Sequence, residues 1–305
     1  HAMKPAAIDL AKEMLTGAGI ELGDSDVLDN KTIEEKKLID NHYYAIANKA
    51  SLTKPKDLSP PADKQEEFAS LFGTSWSDVL AENKVFNALD ACAELGVDGN
   101  ELDGIWATAK KGGKLVKFGG GFYVGELDAV APAPAPAPAP VSKKVYVING
   151  FYMSMREKYT QDGAKIQYML AEWDADKLSW ADFRGKVLGA TDPATAPEGS
   201  IRRTILDKYS DLGLDSEPNV GDNGVHASAS PFEGLFERMN WVGADIESDG
   251  FGKALLEAGI PKETIVEWSK DPKVELDGES TGFFDCMEDL NVKDAIEKAQ
   301  KIAGV

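Results

Sequence analysis

The chain has 305 residues, a length that suggests about two domains, and its 43% hydrophobic content is enough for ordinary cores. A formal net charge of −19 argues against nucleic acid or an anionic membrane as a main partner, and no apolar run approaches the length of a membrane span. Cys92 and Cys286 are the only cysteines and lie far apart, a pattern that fits two free thiols in a reducing, intracellular, cytoplasmic setting. His1-Ala2-Met3 reads as an expression remnant and not as a natural start.

Residues 4–128 read as a mainly helical domain. Residues 6–15 have helical periodicity, ended by Gly17 and Gly19. Thr32-Ile33-Glu34-Glu35 has the form of a capping box that opens a helix running to Ala47. A proline-broken loop over 54–61 precedes a short helix over 63–72 and a longer one over 75–95, with Val79, Leu80, Val85, Phe86 and Leu89 as its core side. Asp98-Gly99-Asn100-Glu101-Leu102-Asp103-Gly104 has the outline of a calcium loop. However, Leu102 stands where an oxygen ligand is needed and Ala109 where the closing glutamate belongs, so a capped helix start is expected. Gly119-Gly120-Gly121 lacks the Gly-Lys-Ser/Thr ending of a phosphate loop and is expected to turn a hairpin between 114–118 and 122–124. His42, beside Tyr43 and Tyr44 on a helix, is expected as a packed or surface histidine. The acidity of the domain makes a protein partner or a scaffold role its default.

Residues 129–142 read as a linker, because the alternating alanine and proline of 131–140 cannot build a core. In polyproline II, at about 3.1 Å per residue, it would span on the order of 30 Å. From Lys143 to Val305 the pattern is mixed α/β. Residues 145–148 and 166–172 are expected as strands and 151–159 as a helix. Ser179 caps a helix toward Leu188, 191–200 is a proline-rich loop, and 201–212 contains a helix. Residues 243–305 form a largely helical tail, with an exposed excursion at 271–276 and a final helix over 292–302.

The stretch Gly221-Asp222-Asn223-Gly224-Val225-His226-Ala227-Ser228-Ala229-Ser230-Pro231 carries the most chemistry. Residues 225–229 are expected as a short strand, which would project His226 and Ser228 to one face. Ser230 is the expected N-cap of a helix, with Pro231 at its first position and Glu233 closing a capping box. Phe232, Leu235, Phe236 and Met239 make one apolar stripe, and Glu237 lies beside it one turn after Glu233. A histidine, a helix start and a nearby carboxylate are the parts of a phosphate-handling nucleophile. The helix end favours an anion, and the carboxylate holds one ring nitrogen while the other attacks.

On these residues the chain resembles the nucleoside diphosphate kinases. Their active-site segment runs Asn-x-x-His-Gly-Ser-Asp-Ser with a glutamate eleven residues after the histidine, and Asn223, His226, Ser228, Ser230 and Glu237 fall at those places. Leu188-Gly189-Ala190-Thr191-Asp192-Pro193 is similar to the family's Leu-Gly-x-Thr-Asn-Pro, and Gly199-Ser200-Ile201-Arg202 to its Gly-Thr-Ile-Arg. The resemblance covers roughly residues 183–241 and is weak over 144–182.

The resemblance implies an α/β (α+β) fold, a ferredoxin-like domain with a helical C-terminal extension. It also implies a kinase that moves a γ-phosphate from a nucleoside triphosphate to a nucleoside diphosphate. His226 would take the phosphate, Glu237 would hold its other nitrogen, and Ser228 would complete the catalytic group. Thr191 and Arg202 would bind phosphate oxygens, Asn223 the sugar, and Phe151 would stack on the base. Mg²⁺ would accompany the nucleotide, with no protein metal ligand assigned, and a homo-oligomer, here a dimer, would be the assembly. Three departures are visible. The family's early Lys-Pro-Asp is replaced after the first strand by Asn149-Gly150-Phe151. One arginine position is Gly185, where Arg184 or Lys186 would substitute. The Asp between the serines is Ala229. These losses weaken charge stabilisation and make a catalytically weak binding or assembly module the alternative.

Overall fold

The structure is a computed structural model that describes residues 3–131 and 141–305; most of the Ala-Pro run therefore lies outside the described residues. The architecture is mixed α and β. Eight strands are described: β1 (Glu21–Asp29), β2 (Val85–Asn87), β3 (Leu115–Gly119), β4 (Phe122–Ala131), β5 (Val141–Ile148), β6 (Lys165–Glu172), β7 (Lys273–Leu276) and β8 (Glu279–Gly282). The chain divides into two compact units. One joins the residues up to Asp29 with Lys165–Val305, and the other is Asn30–Ala164.

In the discontinuous unit, the helix Pro5–Gly17 starts with proline in its first turn, where a missing N–H costs nothing. It buries Ala7, Ala11 and Leu15, four residues apart, in a core with Ile20, Phe183, Ile201, Ile205 and Leu214. The chain then turns at Gly19, whose φ of 82° suits glycine, and enters β1. β1 pairs antiparallel with β6, from Glu21 opposite Glu172 to Asp29 opposite Lys165, with an irregularity between Leu22 and Ser25. Since Asp29 and Lys165 face each other across the ladder, residues 30–164 leave and rejoin this unit at one point, as an insertion does. A second core packs Phe232, Leu235 and Phe236 against the tail, where Trp268 and Phe283 stack at 4.6 Å and 18°.

The inserted unit carries a four-stranded mixed sheet in the order β2-β5-β4-β3. β2 runs parallel to β5, and the other neighbours are antiparallel. Leu102, Trp106, Leu127, Val145, Val147 and Tyr152 are in the core on one side, and Phe68, Trp76, Phe118, Val124, Tyr146 and Ile148 are in another. Asn149 at the end of β5 is fully buried with φ 50°. Its Oδ1 accepts the Tyr123 N–H at 2.9 Å, and its Nδ2 donates to Gly121 O at 2.8 Å and Ile46 O at 3.1 Å. An adjacent Cβ on Gly150 would lie 2.7 Å from the Trp106 ring. Asn149-Gly150 is thus a structural corner that holds the β3–β4 turn.

Several expectations are corrected. The domain cut does not fall at 129–142. β4 and β5 run into that stretch and pair with each other from Val124 opposite Ile148 to Ala131 opposite Val141, which places 143–164 with the inserted unit. The mainly helical N-terminal part has the expected hairpin, β3–β4, and two strands that were not expected, β1 in one unit and β2 in the other. The helix expected from Thr32 starts at Asn30, so Thr32 is inside it, and it breaks at Lys37, with φ 55°. The helix expected over 75–95 is two, Trp76–Ala81 capped by Ser75 and Ala88–Leu95 capped by Asn87, with β2 between them after a left-handed Asn83. The excursion at 271–276 is the first strand of the β7–β8 hairpin, turned by Asp277 and Gly278 with φ 53° and 86°. Asp98 and Glu101 do form a capping box, as the helix-start reading requires.

Candidate active site

The site is built on the helix Pro231–Val242 and the loop before it. Ser230 is fully buried, and its Oγ accepts the Glu233 N–H at 3.2 Å, the expected cap. Glu233 does not close the box on Ser230. Its carboxylate reaches one residue further back and accepts the Ala229 N–H at 2.9 Å. Phe232, Leu235 and Phe236 are buried, which fixes the rotation of the helix and turns Glu237 toward the loop.

Residues 225–229 are not a strand. They form an irregular segment beside an isolated bridge between Asn219 and Asp222. Among the described residues no strand pairs with them, and backbone and side-chain groups of other segments hold them instead. His226 and Ser228 still converge, because both meet Glu237. His226 Nε2 lies 2.7 Å from Oε1, and Ser228 Oγ donates a short hydrogen bond to Oε2. The imidazole is about half exposed at 55% while Glu237 is mostly covered at 19%. Desolvation pulls the His226 pKa down, but the hydrogen bond and charge of Glu237, with a contribution from Glu233, outweigh it against the opposing Arg202. The net position is above the ordinary histidine value. Glu233 is also raised, first by burial and then by the neighbouring Glu237 charge, against its Ala229 hydrogen bond.

The expected phosphate ligands divide differently. Arg202 is buried and donates to backbone: Nη1 to Gly189 O at 2.9 Å, and Nε and Nη2 to Val225 O at 3.1 and 2.9 Å. Burial, aided by the nearby positive charge of Arg184, brings its pKa down to about 10. Asn223 Nδ2 donates to the carbonyl of exposed Thr191 at 3.1 Å. Arg202 and Asn223 therefore tie the 189–200 and 221–230 loops together. Arg184 is held by Glu288 and Asp289, each 2.7 Å from Nη1, and Lys186 pairs with Asp182 at 2.8 Å. Phe151 belongs to the inserted unit, where it packs on Trp106 and Tyr123 at 5.9 and 6.2 Å. His42 packs edge-on to Tyr43 at 4.6 Å, as a packed histidine would.

Sequence reasoning passed over Trp180, Asp289 and Asn291. Trp180 Nε1 donates to Ser228 O at 2.9 Å, and the Asp289 N–H donates to Ala229 O at 3.0 Å. Trp180 N–H in turn donates to Asn291 Oδ1 at 2.8 Å. The only available signal was Ser179, the cap that fixes where Trp180 stands. The carboxylates of Glu237 and Glu233 meet His226, Ser228 and the Ala229 N–H. Comparison with protein-family models, with characterised proteins and with solved structures finds no match to this chain. Among the described residues no helix is long and apolar enough to cross a membrane.

Proposed function

We propose that the chain is a nucleoside diphosphate kinase-like phosphotransferase that works through a phosphohistidine on His226. The observation that carries this reading is Glu237, whose two oxygens meet His226 Nε2 and Ser228 Oγ. With Nε2 given to the carboxylate, Nδ1 is the attacking nitrogen, and Glu237 stabilises the charge that grows on the ring as it attacks. Nδ1 bonds to the γ-phosphorus while the bond from that phosphorus to the bridging oxygen breaks. The nucleoside diphosphate leaves with the electron pair. A terminal phosphate oxygen of a second diphosphate then attacks the phosphohistidine, and Nδ1 takes its pair back. The nucleotide would bring Mg²⁺ with it, which would supply charge neutralisation for the leaving diphosphate. Ser228 orients Glu237, while Asn223 and Arg202 hold the loops in register.

A second reading, a binding or assembly module with little turnover, is favoured by one observation. Both arginines expected at the phosphates already serve protein acceptors. Incubation with γ-labelled ATP and Mg²⁺ separates the two. The first reading gives an acid-labile, base-stable label that added nucleoside diphosphate removes as triphosphate and that His226→Ala lacks. Nucleotide binding without label gives the second.

A further inference from the structure

The loop that presents His226 lacks strand partners, yet three successive polar groups of its backbone are held. Ser228 O accepts the indole N–H of Trp180, Ala229 N–H donates to Glu233, and Ala229 O accepts the N–H of Asp289. Two of these three holds lead to the turn over 288–291, between the helices Phe283–Met287 and Val292–Ala303 of the tail. Asn291 Oδ1 fixes Trp180 by its backbone N–H. Asp289 adopts φ 63°, a conformation that needs support in a residue other than glycine, and the Asp289 and Glu288 carboxylates both grip Arg184. Arg184 stands in the segment 183–188 that Trp180 leads into.

We propose that the 288–291 turn of the tail is the positioning element of the site, with Trp180 and Asp289 as positioning residues. They set the backbone at Ser228 and Ala229 so that His226 and Ser228 together reach the two oxygens of Glu237. This deepens the phosphohistidine reading and rests on it for its chemical meaning. The hold on His226 itself can be measured without turnover. Burial, Glu237, Glu233 and Arg202 all act on the imidazole's titration, and the hydrogen bond of Glu237 acts only while the ring stays within reach. Loosening the loop therefore changes the titration of His226.

The test is titration of the His226 ring by proton NMR on the full chain, which has only three histidines; the signal is assigned with His226→Ala. Trp180→Phe removes the indole donor and keeps a ring. Asp289→Gly removes one of the two carboxylates that tie the turn to Arg184 and relieves the left-handed backbone, so it folds. In both variants the His226 pKa should fall from its raised value toward the ordinary value of about 6.5. Phosphohistidine formation at neutral pH should slow roughly tenfold, the effect of a misplaced reacting group. Parent-like titration in both folded variants overturns the proposal. If the parent takes no phosphate but the titrations move as stated, the positioning claim stands and the phosphotransfer reading fails.

Discussion

Replacing Ser230 by alanine tests how the catalytic helix is anchored. Ser230 is fully buried, and its Oγ is the acceptor for the Glu233 N–H at 3.2 Å. Alanine leaves that N–H without its acceptor at the first turn. Loss of such a cap costs about 0.5–2 kcal/mol, and the long 3.2 Å bond places this one near the middle, about 1 kcal/mol. For a unit of this size, 1 kcal/mol moves the melting midpoint by roughly 2–4 °C. Calorimetry of the full chain should show that drop in the transition of this unit. Ser230→Gly should lose less than Ser230→Ala, because glycine lets water or backbone reach the open N–H and is a far better cap than alanine. The release of Glu233 from Ala229 should accompany the alanine change and slow labelling of His226. A variant that melts with the parent, or a glycine variant weaker than the alanine one, refutes the capping argument.

Other changes are expected to act as follows. Gly189→Ala should destabilise by roughly 2–4 kcal/mol in denaturant titration, because φ is 95° and the new Cβ would stand 2.5 Å from Ser200 Oγ and 2.9 Å from its Cβ. Asn149→Ala should cost about 3 kcal/mol or more in the unfolding of the inserted unit, since three buried hydrogen bonds go at once. The folded pKa of His226 lies above its unfolded value, so its contribution to stability is complete below the unfolded pKa and is lost as pH rises through the folded one. Labelling runs the other way and should rise over that window as the attacking nitrogen becomes neutral. Glu233→Gln keeps an oxygen for Ala229 but removes a charge that raises the His226 pKa, so the labelling profile should shift to lower pH. Residues 30–164 expressed alone should melt cooperatively. Residues 143–305 alone should not, because they lack Ala7, Ala11 and Leu15 from their core and β1 from its pairing with β6, and they carry most of β5 without its partners β2 and β4.

Legibility in the sequence followed the strength of local signals. The Pro231 helix, its Ser230 cap and its buried stripe were readable because capping and 3.6-residue periodicity are local properties. The meeting of His226, Ser228 and Glu237 was readable from spacing even though the strand expected to carry it is absent. β1 was not readable. Glu-Leu-Gly-Asp-Ser-Asp-Val-Leu-Asp is mostly exposed and has no alternation, so its pairing with β6 is a long-range fact. For the same reason the insertion of 30–164 was hidden, while the Ala-Pro run offered a false boundary: low complexity marks a stretch that builds no core, not the place where units part. The partners of Arg202 and Arg184 were not readable because residue type gives charge but not direction. One guanidinium faces backbone carbonyls and the other faces Glu288 and Asp289.

The central claim concerns one nitrogen of one histidine. Its most direct test is intact-mass measurement of the full chain, kept at neutral pH, after incubation with ATP and Mg²⁺, followed by peptide mapping without acid. The expected result is the gain of a single phosphoryl group that maps to His226, discharges with nucleoside diphosphate, and is missing in His226→Ala. A parent chain that binds nucleotide and gains no mass over hours, or a phosphoryl group that persists in His226→Ala, contradicts it.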